Sequence, residues 1–98
     1  MASVSAISEY RVQFSGRVQG IGFRFTARHL AQQFKNLTGY VSNLPYGRVE
    51  IVAESDEPTF RDFLRSIEES SLGRGVIETK VETRPITSRQ FSSFDIHV

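Results

Sequence analysis

Tyr10, Val12 and Phe14 alternate with Arg11, Gln13 and Ser15, the period-two pattern of a strand with one buried side. The period then changes. Phe23, Ala27, Leu30, Ala31 and Phe34 fall at helical spacing and predict a helix from Phe23 to near Asn36, closed before Gly39. Gly39–Asn43 reads as a short strand, Leu44–Gly47 as a turn with proline and glycine, and Arg48–Glu54 as a second strand whose Val49, Ile51 and Ala53 share a side. Those two strands make a hairpin. Ser55–Ser70 opens with acids and a proline and carries Phe60, Phe63, Leu64 and Ile67 as an apolar stripe, which predicts a second helix. After the break at Leu72–Gly75, Ile77, Thr79, Val81 and Thr83 alternate with charged residues as a fourth strand. Phe94, Ile96 and Val98 mark a short strand at the C-terminus.

The order β-α-β-β-α-β with a short fifth strand predicts an α+β, ferredoxin-like domain, both helices covering one face of an antiparallel sheet. Many activities share this arrangement, so function has to come from particular residues. No repeat, linker or low-complexity segment divides the chain. Residues 1–7 read as an N-terminal extension and 8–98 as one domain.

Composition narrows the chemistry. The 98 residues suffice for a single core, and eight Phe and three Tyr can fill it. There is no cysteine, which removes disulfides, thiolate nucleophiles and thiolate metal sites, and two histidines alone do not make an ordinary zinc site. No apolar run approaches membrane-spanning length, and the first eight residues lack the charge and apolar stretch of a secretory signal, so a cytoplasmic protein without membrane association is expected. The net charge of +1 gives no reason to expect nucleic acid. Its distribution is uneven, however. Residues 1–49 hold six Arg or Lys against one acid, and residues 50–98 hold six against ten.

The positive half contains Phe14–Phe25, FSGRVQGIGFRF, with three glycines and two arginines framed by aromatics. Glycine lets a backbone approach a ligand closely, arginine offers a rigid fork of donors to oxyanions, and a helix starting at Phe23 adds unpaired N–H groups. The stretch reads as an anion cradle. Taken singly, its parts have plainer readings: the glycines as a strand-to-helix turn, Arg24 and Arg28 as solvated helix residues, Asn43 as a turn residue, and His29 and His97 as surface residues.

Gly16–Arg24, GRVQGIGFR, and Gly39–Glu54, GYVSNLPYGRVEIVAE, together resemble the acylphosphatase family, whose signature runs approximately G-x-V-Q-G-V-x-F-R, then G-x-V-x-N, then G-x-V-E. The resemblance covers about residues 8–98. It implies hydrolysis of the carboxylic–phosphoric anhydride of acyl phosphates without metal or cofactor. It further implies that Arg24 binds the phosphoryl group, that Asn43 orients the attacking water, and that backbone N–H groups of Gln19, Gly20, Ile21, Gly22 and Phe23 complete the phosphate-binding loop. In that scheme the substrate's own phosphate takes the proton, so no His, Asp or Glu base is required. Inorganic phosphate would then be both product and competing ligand. Ile21 stands where valine is commoner, and Tyr40, often tryptophan in the family, is expected to pack next to the site. Ser70–Lys80, SSLGRGVIETK, lacks the family's usual glycine–proline pair, which leaves the geometry of that loop open.

Three other readings compete. An RNA-binding module of this fold needs an aromatic-rich central strand, and Arg48–Glu54 has no aromatic. A carbamoyl-phosphate-handling module of a larger maturation enzyme shares the motifs, but the end at residue 98 favours a free-standing enzyme. A small-ligand regulatory domain would usually be attached to an enzyme. A monomer is expected, on the ground that no apolar set is left without a place in the core.

Overall fold

The computed structural model describes residues 6–98, so the first five residues of the expected extension lie outside it. The elements are β1 Ile7–Gly16, α1 Phe23–Ala31, β2 Thr38–Asn43, β3 Val49–Ser55, α2 Glu57–Glu69, β4 Val76–Ile86 and β5 Phe94–His97, in a sheet ordered β4-β1-β3-β2-β5. This is the ferredoxin-like arrangement with an added edge strand. β1 thus begins at the last residue assigned to the extension.

Register shows which side chains share a face. Tyr10, Val12 and Phe14 of β1 lie opposite Ala53, Ile51 and Val49 of β3, and Val41 of β2 lies opposite Ile51. Directly opposed residues point the same way, so this set forms the floor on which the helices sit. α1 contributes Phe23, Ala27 and Ala31, and α2 contributes Phe60, Phe63 and Ile67, all buried. Ring contacts bind the layers: Tyr10 stacks on Phe60 at 3.9 Å, and Phe63 meets Phe94 at 5.7 Å. α1 is shorter than its apolar spacing predicts, ending at Ala31, and turns carry the chain to Asn36. Phe34 still packs against Phe63, so its spacing reports burial and not helix.

β5 pairs with β2 in parallel, which makes the sheet mixed where sequence alone suggests antiparallel pairing throughout. Side-chain alternation identifies a strand's buried face but not its direction. Here direction follows from chain path. β4 ends beside the start of β1, residues 87–93 cross that end of the sheet, and β5 must set off the same way as β2. Glu54 holds this strap. Fully buried, its carboxylate accepts hydrogen bonds from the Thr38 hydroxyl at 2.8 Å and the backbone N–H groups of Gln90 at 2.7 Å and Phe91 at 3.2 Å. Arg89 donates to Asn36 O, Glu54 O and Thr38 Oγ1 from the same strap.

Coverage by the helices is incomplete. α1 packs on β2 and β5 and α2 on β1 and β3, leaving most of β4 uncovered beyond Val76, which still packs against the core. Val81 therefore stays 44% exposed although it lies opposite the buried Val12, and Ile77, at a shift in the β1–β4 register, is 85% exposed. The ground for expecting a monomer, that every apolar residue finds a place in the core, does not hold for these two.

Candidate active site

The loop after β1 is shaped by backbone conformations that glycine tolerates. Gly20 and Gly22 both have φ of +79°, with open space where a Cβ would sit, so conformation and not crowding calls for glycine there. Gly22 is also the N-cap of α1. It has no side chain to satisfy the first N–H groups of the helix, and no acidic residue occupies the first turn. Those donors have no side-chain cap, and the helix dipole adds positive potential at the same point.

The second residue of α1 is Arg24, half-buried, and among the described residues no carboxylate lies within ion-pair distance of it. Asn43 ends β2 opposite Val49, on the face that carries the helices, and its side chain is exposed. The two come together across a cavity of about 160 Å³ lined by Val18, Gln19, Gly20, Gly22, Phe23, Arg24, Phe25 and Asn43. Of the loop residues expected from sequence, only Ile21 is missing from that lining. Its side chain, 44% exposed, lines a neighbouring depression with Arg17 and Arg74.

Gln19 has a structural part that sequence reasoning missed. Its side-chain amide donates to both Leu44 O and Arg48 O at 2.8 Å, tying the loop to the β2–β3 turn just beyond Asn43. Leu44 N–H closes the same turn on Arg48 O. Gln19 thereby sets the width between the arginine and asparagine sides of the cavity. The only advance signal was a long amide side chain between an apolar residue and a glycine.

Ser71–Gly75, where the family's usual glycine–proline pair is absent, forms a 3-10 turn that backs the loop from outside. Arg17 N–H donates to Gly75 O at 2.8 Å, and a Cβ on Gly75 would lie 2.1 Å from Arg17 O. Glycine is required here for close approach.

Tyr40 does not pack next to the cavity. β2 alternates faces, so Val41 and Asn43 point toward the helices while Tyr40 points to the opposite side. There it stacks on His97 at 4.3 Å and donates to Glu50 at 3.3 Å. His29 is exposed on α1, with Gln33 at 3.4 Å. Arg28 lies over the Phe25 ring at 5.8 Å.

The acylphosphatase family model matches residues 10–96 of the chain. The chain belongs to the acylphosphatase family. An acylphosphatase of Bacillus licheniformis is 43% identical over 74 residues, covering 76% of this chain and 81% of that protein. The crystal structure of acylphosphatase from Bacillus subtilis superposes with a TM-score of 0.82 at 33% identity, covering 93% of this chain and 99% of that one. Full-length HypF, in its phosphate- and nucleotide-bound form, matches with a TM-score of 0.79 at 28% identity; all of this chain corresponds to 13% of that one. Both motifs of the family, the glycine loop with Arg24 and the strand end with Asn43, thus flank a single cavity here.

Proposed function

We propose that this chain hydrolyses acyl phosphates to a carboxylate and inorganic phosphate, with Arg24 and the N–H groups of Gln19, Gly20, Ile21, Gly22 and Phe23 holding the phosphoryl oxygens and Asn43 orienting the attacking water. The observation that carries this reading is that Arg24 and Asn43, from different elements, line one small cavity at the uncapped N-terminus of α1. Membership of the family supports the substrate class.

In the proposed step the water oxygen bonds to phosphorus as the bond from phosphorus to the acyl oxygen breaks. The carboxylate leaves with the electron pair, and one water proton passes to a phosphoryl oxygen. A carboxylate is a good leaving group, so the protein's tasks are alignment and stabilisation of the phosphoryl charge. Asn43 suits the water because a carboxamide both donates and accepts. Arg24 and the amides supply the positive potential, so the reaction as drawn needs neither metal nor cofactor.

One chain carries the whole set of groups and suffices as the catalytic unit. The proposal includes no nucleic-acid or membrane partner. The aromatic-free β3, Val49–Ser55, supports the first exclusion. A cytoplasmic setting is part of the proposal, since charged acyl phosphates do not cross membranes unaided.

Benzoyl phosphate turnover, followed by ultraviolet absorbance in excess EDTA and in isotopically labelled water, tests the reading. Metal-independent hydrolysis with the label in phosphate is expected. Label in benzoate would move the attack to the carbonyl carbon, and no turnover would leave only an anion-binding scaffold.

A further inference from the structure

The outer edge of β4 is open: among the described residues it has β1 on one side and no strand on the other. Eleven residues is long for an edge strand, and such an edge offers unpaired N–H and C=O groups to another chain. Pro85, opposite Ser8, fits a position whose missing N–H would face away from β1. The register is unbroken from Ile86 to Glu78, so Val81, Thr79 and Thr83 share its parity and turn their backbone groups outward. The charges on the strand also follow a rule. Glu78, Lys80, Glu82 and Arg84 occupy the face away from the helices, opposite Ser15, Gln13, Arg11 and Glu9.

We propose that β4 is a homodimer interface in which two copies pair antiparallel about a two-fold axis through Val81, joining their sheets into one of ten strands. The occupant is identified by self-complementarity. With the axis at Val81, Lys80 of each copy faces Glu82 of the other, and Glu78 faces Arg84. All four charged positions meet their opposites. Thr79 faces Thr83, and the two Val81 side chains, each 44% exposed in the single chain, cover one another on the helix side. A two-fold interface requires this mirror relation, because the same patch serves both copies.

Neighbouring registers fail. An axis at Lys80 sets Lys80 against itself and Glu78 against Glu82; an axis at Glu82 sets Glu82 against itself and Lys80 against Arg84. Like charges directly opposed destabilise strand pairing. An axis at Thr79 or Thr83 opposes no like charges but pairs only two of the four charged positions, Glu78 with Lys80 or Glu82 with Arg84, so the register centred on Val81 is the one that matches them all.

Sedimentation velocity over a concentration series up to about 1 mM, with each variant's thermal unfolding as a fold control, tests the proposal. The wild type should move from 11.1 kDa toward twice that mass as concentration rises. Lys80→Glu alone and Glu82→Lys alone should each weaken the dimer by roughly tenfold or more. An equimolar mixture of the two variants pairs opposite charges again and should recover it. Should Glu82→Lys disturb the fold through its neighbour Arg11, Val81→Lys and Val81→Glu give the same test, since each sets like charges together on the axis and their mixture sets opposites together. A wild type that stays at 11.1 kDa throughout, or single variants that dimerise as well as the wild type, would overturn the proposal.

Discussion

Glycine positions that look alike in the sequence differ in what they require. Gly39, in β2 with φ of +141°, has Val52 O only 1.8 Å from where a Cβ would sit, against the backbone of the neighbouring strand. Gly20 has a positive φ but open space around it. Gly39→Ala should therefore separate β2 from β3 and leave little folded protein. Gly20→Ala should fold at a cost of about 1–2 kcal/mol of backbone strain and lose activity through the displaced loop. Thermal unfolding of the two variants separates these outcomes, and equal stability would contradict the account. That Arg24 and Asn43 would face one cavity was implied by the resemblance of their two motifs to one family, since taken singly each reads as an ordinary helix or turn residue. The part played by the side chain of Gln19 was not legible, since its partners are two carbonyls, and a sequence does not say which carbonyls a loop will approach.

Elements were legible wherever burial has a clear period. The alternation of Val49, Ile51 and Ala53 and the stripe of Phe60, Phe63 and Ile67 each located an element and its inner face. What the pattern lacked was direction and reach. It could not show that β5 runs parallel to β2, nor that β4 extends beyond the helices. Helix ends were equally hidden, because Phe34 is buried after α1 has finished. The β2–β3 turn and the loop after β1 are joined by Gln19, and that joint is testable. Gln19→Glu keeps the shape but turns two donated hydrogen bonds into contacts between a carboxylate and the oxygens of Leu44 and Arg48. Hydrolysis of benzoyl phosphate should fall at least tenfold while α1 and the sheet stay folded by circular dichroism. An unchanged rate would mean that the width of the cavity does not depend on this tie.

The whole molecule divides its charge between two faces. Among the described residues, the helix side carries the cavity, with Arg24 unpaired, and one exposed ion pair within α2, Arg61 with Glu57, while the opposite face gathers the other three, around Glu9 and Arg11. Glu9 accepts from Arg84 Nε at 3.2 Å and Nη2 at 3.0 Å, and Arg11 reaches Glu50 at 3.2 Å. Hydrogen bonding from Arg84 holds the Glu9 carboxyl below its ordinary value near 4.5; burial opposes this, and the charges of Arg84 and Arg11 add to the lowering. A carboxyl depressed in the folded state stabilises the fold above its unfolded value, and that contribution is lost as pH falls from there through the lower folded value. Stability should thus drop more steeply between pH 5 and pH 2 in the wild type than in Glu9→Gln, measured by urea unfolding at each pH. Parallel profiles would show that the ion pairs on this face do not contribute.

The central claim is that Arg24 and Asn43 serve one reaction through different tasks. Steady-state hydrolysis of benzoyl phosphate by Arg24→Ala and Asn43→Ala, each with inorganic phosphate as competitor, tests it most directly. Arg24→Ala should lose both rate and phosphate affinity, because the guanidinium holds the anion in every state. Asn43→Ala should lower kcat by about 10²–10³-fold and leave the inhibition constant of phosphate within about twofold of the wild type, because the amide holds only the water. An Asn43→Ala enzyme with full kcat, or one that loses phosphate binding as Arg24→Ala does, would contradict the account.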